Sequence, residues 1–170
     1  MISVMESLTS LAARVGELAL ARGASLATAE SCTGGLIAAT CTGIAGSSDW
    51  FCGGFVTYML SAKTQMLNVQ TSLLEEHGAV SEPVAHAMAV GALEQSPATV
   101  SVAVTGVAGP GGGDVTTPVG DVCLAWARRE GRRLVLVQAS RYSFEGDRED
   151  VRTSAVRAAL EGVIQTLGAS

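Results

Sequence analysis

Apolar positions recur at helical spacing from Ser3 to Ala21, and Gly23 follows them as a stop. The period then changes. SLATAE (25–30) reads as a short strand, and SCTGGLIAATCTG (31–43) as a helix that begins near Ser31 or Thr33 and ends at Gly43. IAGSSDW is a loop. FCGGFVTYM (51–59) is apolar and β-rich, although its two glycines weaken a strand. SAKTQMLN and SLLEEHG are short helices, the second with Ser72 and Glu75 spaced as a capping box. SEPVAHAMAVGALEQS (81–96) is the clearest helix: Ser81 is placed to cap it and Pro83 sits in its first turn. TVSVAVTG (99–106) is a β-branched run of the kind found in central strands. VAGPGGGDVTTPVG is a glycine-rich loop. DVCLAWARR and RLVLVQASRY form a hairpin turning at Glu130–Gly131, and a last helix runs from Asp147 to Leu167. Helices and strands alternate throughout, which predicts an α/β fold: a three-layer α/β/α sandwich over a mixed, mainly parallel sheet with a late antiparallel hairpin.

Composition narrows this picture. The chain has 170 residues, 48% of them hydrophobic and only 4% aromatic, which suits one domain whose helices pack closely on a buried sheet. No repeat, linker or low-complexity segment divides it. The formal net charge of −5 argues against a nucleic-acid footprint, which needs a clustered basic face. No apolar run is long enough to span a bilayer, and the N-terminal stretch, with Glu6 early, lacks the basic start and apolar centre of a signal peptide. A cytoplasmic protein without membrane contact is expected. The 4 cysteines (Cys32, Cys41, Cys52, Cys123) show no CxxC spacing and read mostly as inert buried thiols. His77 and His86 are too few and too far apart for a metal site, and no metal or cofactor is expected.

Three segments carry candidate chemistry, and each follows a predicted strand, where ligands of open α/β sheets bind. TAESCTGG (28–35) places Ser31 at a strand-to-helix turn, with Gly34 and Gly35 free to bring backbone close to a ligand. Ser31 or Thr33 is equally suited to cap the helix. Cys32, one place on, is expected to point inward and ranks below Ser31 as a nucleophile. VTYMLSAK contains Tyr58 and Lys63; a desolvated lysine, or a tyrosine polarised by one, is a competent base for a serine. A surface lysine beside an edge tyrosine is the plainer alternative. In TGVAGPGGGDVTTPVG the glycines can form an anion-binding nest, but neither a Walker loop nor G-x-G-x-x-G is present.

Together TAESCTGGLIAA, GIAGSSDWFCGGFVTY with Lys63 after it, HGAVSEPVAHAMAVGA, VAVTGVAGPGGG with PVGDV, and FEGDRE resemble the CinA C-terminal domain family in order and over nearly the whole chain. The form resembled is the short, single-domain one, which includes nicotinamide mononucleotide deamidases. The resemblance implies a metal-free amidohydrolase acting on a nucleotide, with Ser31, Tyr58 and Lys63 as its catalytic group. It further implies oxyanion donors among Cys32, Thr33, Gly34 and Gly35. Ribose and phosphate contacts fall to Ser48, Thr105, Gly106, and Gly109 to Gly112 (Gly111 included), and a charged clamp to Arg148. Glu30 is expected either to orient Lys63 or to pair with another basic group. A homo-oligomer, dimer or trimer, is also implied. The chain departs from the family pattern at Met59, Leu60 and Ser61, where a serine–asparagine–glutamate stretch is common, and at Thr117, where a lysine often stands. The rival expectation is a catalytically weak or inactive nucleotide-binding module of the same fold; a purely structural role accounts for neither the serine turn nor the glycine loop.

Overall fold

A computed structural model describes residues 5–168. The elements run α1 (Leu8–Arg22), β1 (Leu26–Glu30), α2 (Leu36–Thr42), β2 (Phe51–Val56), α3 (Leu60–Leu67), α4 (Thr71–His77), α5 (Glu82–Glu94), β3 (Val100–Gly106), β4 (Asp121–Glu130), β5 (Arg133–Ser143) and α6 (Arg148–Gly168). One turn of 3-10 helix, Ser47–Asp49, lies within the loop before β2. The five strands form one sheet in the order β2-β1-β3-β4-β5. β1 pairs in parallel with β2 and β3, while β3-β4 and β4-β5 are antiparallel, so the sheet is mixed in equal parts. Because the chain leaves β1 for β2 on one side and returns to β3 on the other, the carboxyl end of β1 is a topological switch point.

Helices cover both faces. Leu26 on β1, Val100, Val102 and Val104 on β3, and Val122, Leu124 and Trp126 on β4 point to one face, where α1, α2 and α6 pack. The alternate positions point to the other: Ala27 and Ala29, Ala103, then Cys123, Ala125 and Ala127. The period of two thus sorts large side chains to one face and small ones to the other. Small residues let α5 sit close, and Ser101 bridges the gap by donating to the Ala89 carbonyl at 2.7 Å. α5 contributes its own small residues, with Ala85, Ala89, Gly91 and Ala92 all buried.

Several ends follow the expected chemistry. Gly23 closes α1 in the left-handed conformation (φ 60°), and Ser81 caps α5 by accepting from the Val84 N–H. Others differ. α1 starts at Leu8, capped by Ser7; Ser3 and Val4 of the predicted helix lie outside the described residues. The Ser72–Glu75 capping box does not form. Asn68 ends α3 in a left-handed turn and Gln70 already accepts from the Leu73 and Leu74 N–H groups, so α4 begins one residue before Ser72. α2 begins at Leu36 rather than near Ser31 or Thr33, because Gly34 (φ 59°) and Gly35 (φ 98°) hold the chain in a left-handed turn that a helix cannot continue through. Among the described residues no helix is long and apolar enough to cross a membrane.

Gly91 marks the tightest helix contact: a Cβ there would run into the Leu67 carbonyl at the end of α3. Gly91→Ala gains about 1 kcal/mol of helix propensity but forces α3 and α5 apart, which typically costs about 1–3 kcal/mol or more. The expected net result is a less stable protein, read as a lower midpoint in urea unfolding.

Candidate active site

The parallel register aligns Glu30 of β1 with Val56 of β2 and Val104 of β3. The pairing runs one residue further: the Thr57 N–H donates to the Glu30 carbonyl at 2.8 Å, and the Ser31 N–H to the Val104 carbonyl at 3.0 Å. Thr57, Ser31 and Thr105 therefore stand in a row across the carboxyl edge of the sheet. Strand alternation then decides which way the neighbouring side chains face. Ser31 shares its parity with Ala27 and Ala29 and turns toward the α3 and α5 side. Cys32 turns into the opposite core, 5% exposed.

Lys63 comes from the first turn of α3. Helical side chains lean toward the N-terminus, which here carries the ammonium back over the end of β2. Its Nζ lies 2.9 Å from Ser31 Oγ and donates to the Thr57 carbonyl at 2.7 Å. Lys63 is 1% exposed and Ser31 8%. Burial disfavours the charged form and pulls the Lys63 pKa down from 10.5 to about 8. Burial acts oppositely on Cys32, pushing its thiol up to about 11. At neutral pH Cys32 stays a thiol, while a useful fraction of Lys63 is a free amine beside a hydroxyl. A buried lysine of lowered pKa in contact with a serine can deprotonate it and make it a nucleophile.

Glu30 does neither thing expected of it. Its carboxylate points to the α2 side and accepts from Thr33 Oγ1 (2.7 Å), the Ile37 N–H (2.8 Å), the Ala38 N–H (3.0 Å) and Thr28 Oγ1 (3.3 Å). It is Glu30, seven residues ahead of Ile37, that caps α2, and not Ser31 or Thr33. Ser31 is thereby released from capping. Of the turn's donors, the Gly34 N–H is spent on the Ser31 carbonyl at 3.0 Å.

Tyr58 stands at the mouth, 58% exposed. Its hydroxyl accepts from Arg148 Nη2 at 3.0 Å, and Arg148 Nη1 donates to the Gly109 carbonyl at 2.7 Å. Arg148 thus ties α6, the glycine loop and the end of β2 together. Ser31, Cys32, Tyr58, Lys63, Thr105 and Arg148 all line one cleft of about 200 Å³, with Gly106 on its wall. Thr105 commits its hydroxyl to the Ala79 carbonyl at 2.8 Å. Gly111 and Gly112 are exposed further out on the loop. Ser48 is exposed in the 3-10 turn, next to Trp50, whose carbonyl accepts from the Leu26 N–H. That is the opposite end of the sheet, so within one chain Ser48 is remote from Ser31. Met59 (71% exposed) and Leu60 form an apolar rim, and Thr117 sits in a surface turn organised by Asp114. Among the described residues no group of three or more His, Cys, Asp or Glu is placed to hold a metal ion. Two contacts of the nucleophile turn and its lysine were not singled out by residue in the sequence: the Thr57 carbonyl, which is backbone, and Arg152, one of the arginines beyond FEGDRE, whose Nη2 donates to the Thr33 carbonyl at 3.1 Å.

The fold and this pair define an α/β sandwich with a serine–lysine couple at its switch point. Residues 8–167 match the CinA C-terminal domain, and the chain belongs to that family. It is 48% identical over 158 residues to the nicotinamide-nucleotide amidohydrolase PncC of Escherichia coli K12, covering 93% of each chain. The PncC of Pseudomonas putida is 48% identical over 161 residues, covering 95% of this chain and 98% of that protein. Among solved structures, a competence/damage inducible protein from Agrobacterium tumefaciens superposes with a TM-score of 0.88 at 44% identity, covering 98% of this chain and 99% of the other.

Glu30→Ala removes four accepted hydrogen bonds and leaves the Ile37 and Ala38 N–H groups without their acceptor. A loss of about 3 kcal/mol in unfolding free energy is expected, since hydrogen bonds to a charged acceptor contribute roughly 1.5–3 kcal/mol each and are not additive. Chemical denaturation of the variant measures it.

Proposed function

We propose that this chain is an amidohydrolase that converts nicotinamide mononucleotide and water to nicotinate mononucleotide and ammonia, with Ser31 as nucleophile and Lys63 as its base. The observation that carries the reading is the 2.9 Å approach of Lys63 Nζ to Ser31 Oγ in a cleft at the carboxyl edge of the sheet. The names of the two PncC relatives supply the substrate.

In the first half-reaction, neutral Lys63 takes the Ser31 proton as Oγ bonds to the carboxamide carbon. The backbone N–H groups of Cys32 and Thr33 are assigned to the resulting oxyanion. Lys63, now an ammonium, returns its proton to the nitrogen as the carbon–nitrogen bond breaks. Ammonia leaves and an acyl-enzyme remains on Ser31. In the second half-reaction water attacks that ester, Lys63 accepts its proton and hands it to Ser31 Oγ, and the acid departs. The Thr57 carbonyl accepts from Lys63 in the protonated state and so holds the nitrogen in place through both halves. Tyr58, which lines the same cleft and accepts from Arg148 at 3.0 Å, is the third member of the proposed catalytic group, and Arg148 contacts the substrate beside it.

Ser31→Ala and Lys63→Met are each expected to lower ammonia release at least about a thousandfold, the scale on which nucleophile and base removals act, while unfolding curves stay cooperative. Full activity in either variant would remove the proposed chemistry.

The reactive form is the neutral amine, so activity should rise with pH. With the Lys63 pKa near 8, kcat/KM climbs about tenfold per pH unit below that value and levels off above it. A profile flat from pH 6 to 9 would contradict Lys63 as the base.

A further inference from the structure

Beside the Ser31 cleft lies a second, larger hollow of about 890 Å³, lined by Leu36, Pro110, Val119, Asp147, Arg148 and Arg152 among others. Ala108 and Arg148 line both spaces, so the two are neighbours. The small cleft lies on the α3 side, and the larger hollow lies between the glycine loop and α6. Its two guanidiniums stand one helical turn apart on α6. Among the described residues neither forms an ion pair with a carboxylate. Of the acids beside them, Asp147 Oδ1 accepts from the Asp150 N–H and Asp150 Oδ2 from the Asp147 N–H, each at 2.9 Å, while Glu149 also lines the hollow and pairs with neither guanidinium.

Arg152 is the more unusual of the two. One Nη2 hydrogen is given to the Thr33 carbonyl, but the buried Nε has no hydrogen-bond partner. The Nε is enclosed by protein, so a ligand in the hollow would be held by the Nη nitrogens, and a guanidinium without a carboxylate partner is matched best by a carboxylate or phosphate taking two parallel hydrogen bonds. A mononucleotide has its amide and its phosphate at opposite ends.

We infer that the larger hollow receives the 5′-phosphate of the substrate, with Arg152 as its anchor. The residue thus sets the preference for a phosphomonoester over the corresponding riboside. The identity of the substrate here rests on the deamidase reading; the anion site does not. In this arrangement the carboxamide reaches Ser31 in the small cleft while the phosphate lies in the larger hollow, with Arg148 lining both. Arg152 also touches the nucleophile turn through Thr33, so the test must separate anchoring from support of that turn.

Ammonia release from nicotinamide mononucleotide and from nicotinamide riboside is compared for the unaltered protein, Arg152→Gln and Arg152→Lys. Arg152→Gln is expected to raise KM for the mononucleotide about ten- to hundredfold, with a much smaller change in kcat. The preference for mononucleotide over riboside should shrink by the same factor, and Arg152→Lys should recover part of it. Equal losses on both substrates would make Arg152 a support of the Thr33 turn and overturn the inference, as would no change. If the unaltered protein releases ammonia from neither, the deamidase reading falls, and the anion site is judged by melting temperature. Ribose 5-phosphate should then raise the Tm of the unaltered protein and not that of Arg152→Gln, while ribose raises neither. No shift in the unaltered protein would overturn the site.

Discussion

The buried carboxylate of Glu30 is the interaction on which the site depends. Its backbone is held from both sides by the parallel pairing with β2 and β3, which places Ser31 at a fixed height between Thr57 and Thr105. Its side chain meanwhile closes the start of α2 by accepting from two helical N–H groups and two threonine hydroxyls. A turn of five residues is thus clamped at each end, and the two left-handed glycines within it complete the reversal. Without that carboxylate, the hydroxyls of Ser31 and Thr33 would be drawn to the open helix end. With it, Ser31 Oγ has Lys63 as its partner.

Alternation also protects the lysine. A carboxylate facing Lys63 would stabilise the ammonium and raise its pKa, suppressing the amine that the chemistry needs. Glu30 is one residue from Ser31 yet faces the other side of the sheet, because adjacent strand residues point oppositely. Lys63 is left with a backbone carbonyl and a hydroxyl for company. Burying a cation among neutral groups is unfavourable for stability, and such local costs concentrate where a protein does its work. The close packing of α5 on the alanine-lined face of the sheet supplies a rigid wall against which α3 holds its position.

In the proposed reading the two unequal hollows divide the labour of recognition. Chemistry falls to the narrow space on the α3 side, where exclusion of water strengthens the serine–lysine contact. Charge recognition falls to the guanidiniums of α6. Arg148 lines both, and by gripping the glycine loop and Tyr58 at once it ties the loop to the body of the protein.

Sequence alone determined much of this. The alternating pattern of periods established the α/β class, the strand-to-helix turn at Ser31, the late hairpin and the helices that end at Gly23 and open at Ser81. These are local matters, decided by side-chain period and by which residues tolerate a turn. It also ranked Ser31 above Cys32, on the expectation that a cysteine one place along the turn points inward, and Cys32 is buried in the core. What it left open were contacts between segments distant along the chain. Lys63 lies 32 positions from Ser31, and only the crossover geometry of β2 and α3 brings them to 2.9 Å. The same holds for the part of Glu30, which looked like a partner for lysine but caps a helix seven residues ahead. Ser48 ends at the far end of the sheet, and Arg152 reaches the Thr33 carbonyl because α6 packs against α1, α2, β3 and β4. Parity along a strand is a property of the chain itself; which strands lie side by side, and in what register, is settled only when the sheet and its two helical layers close together.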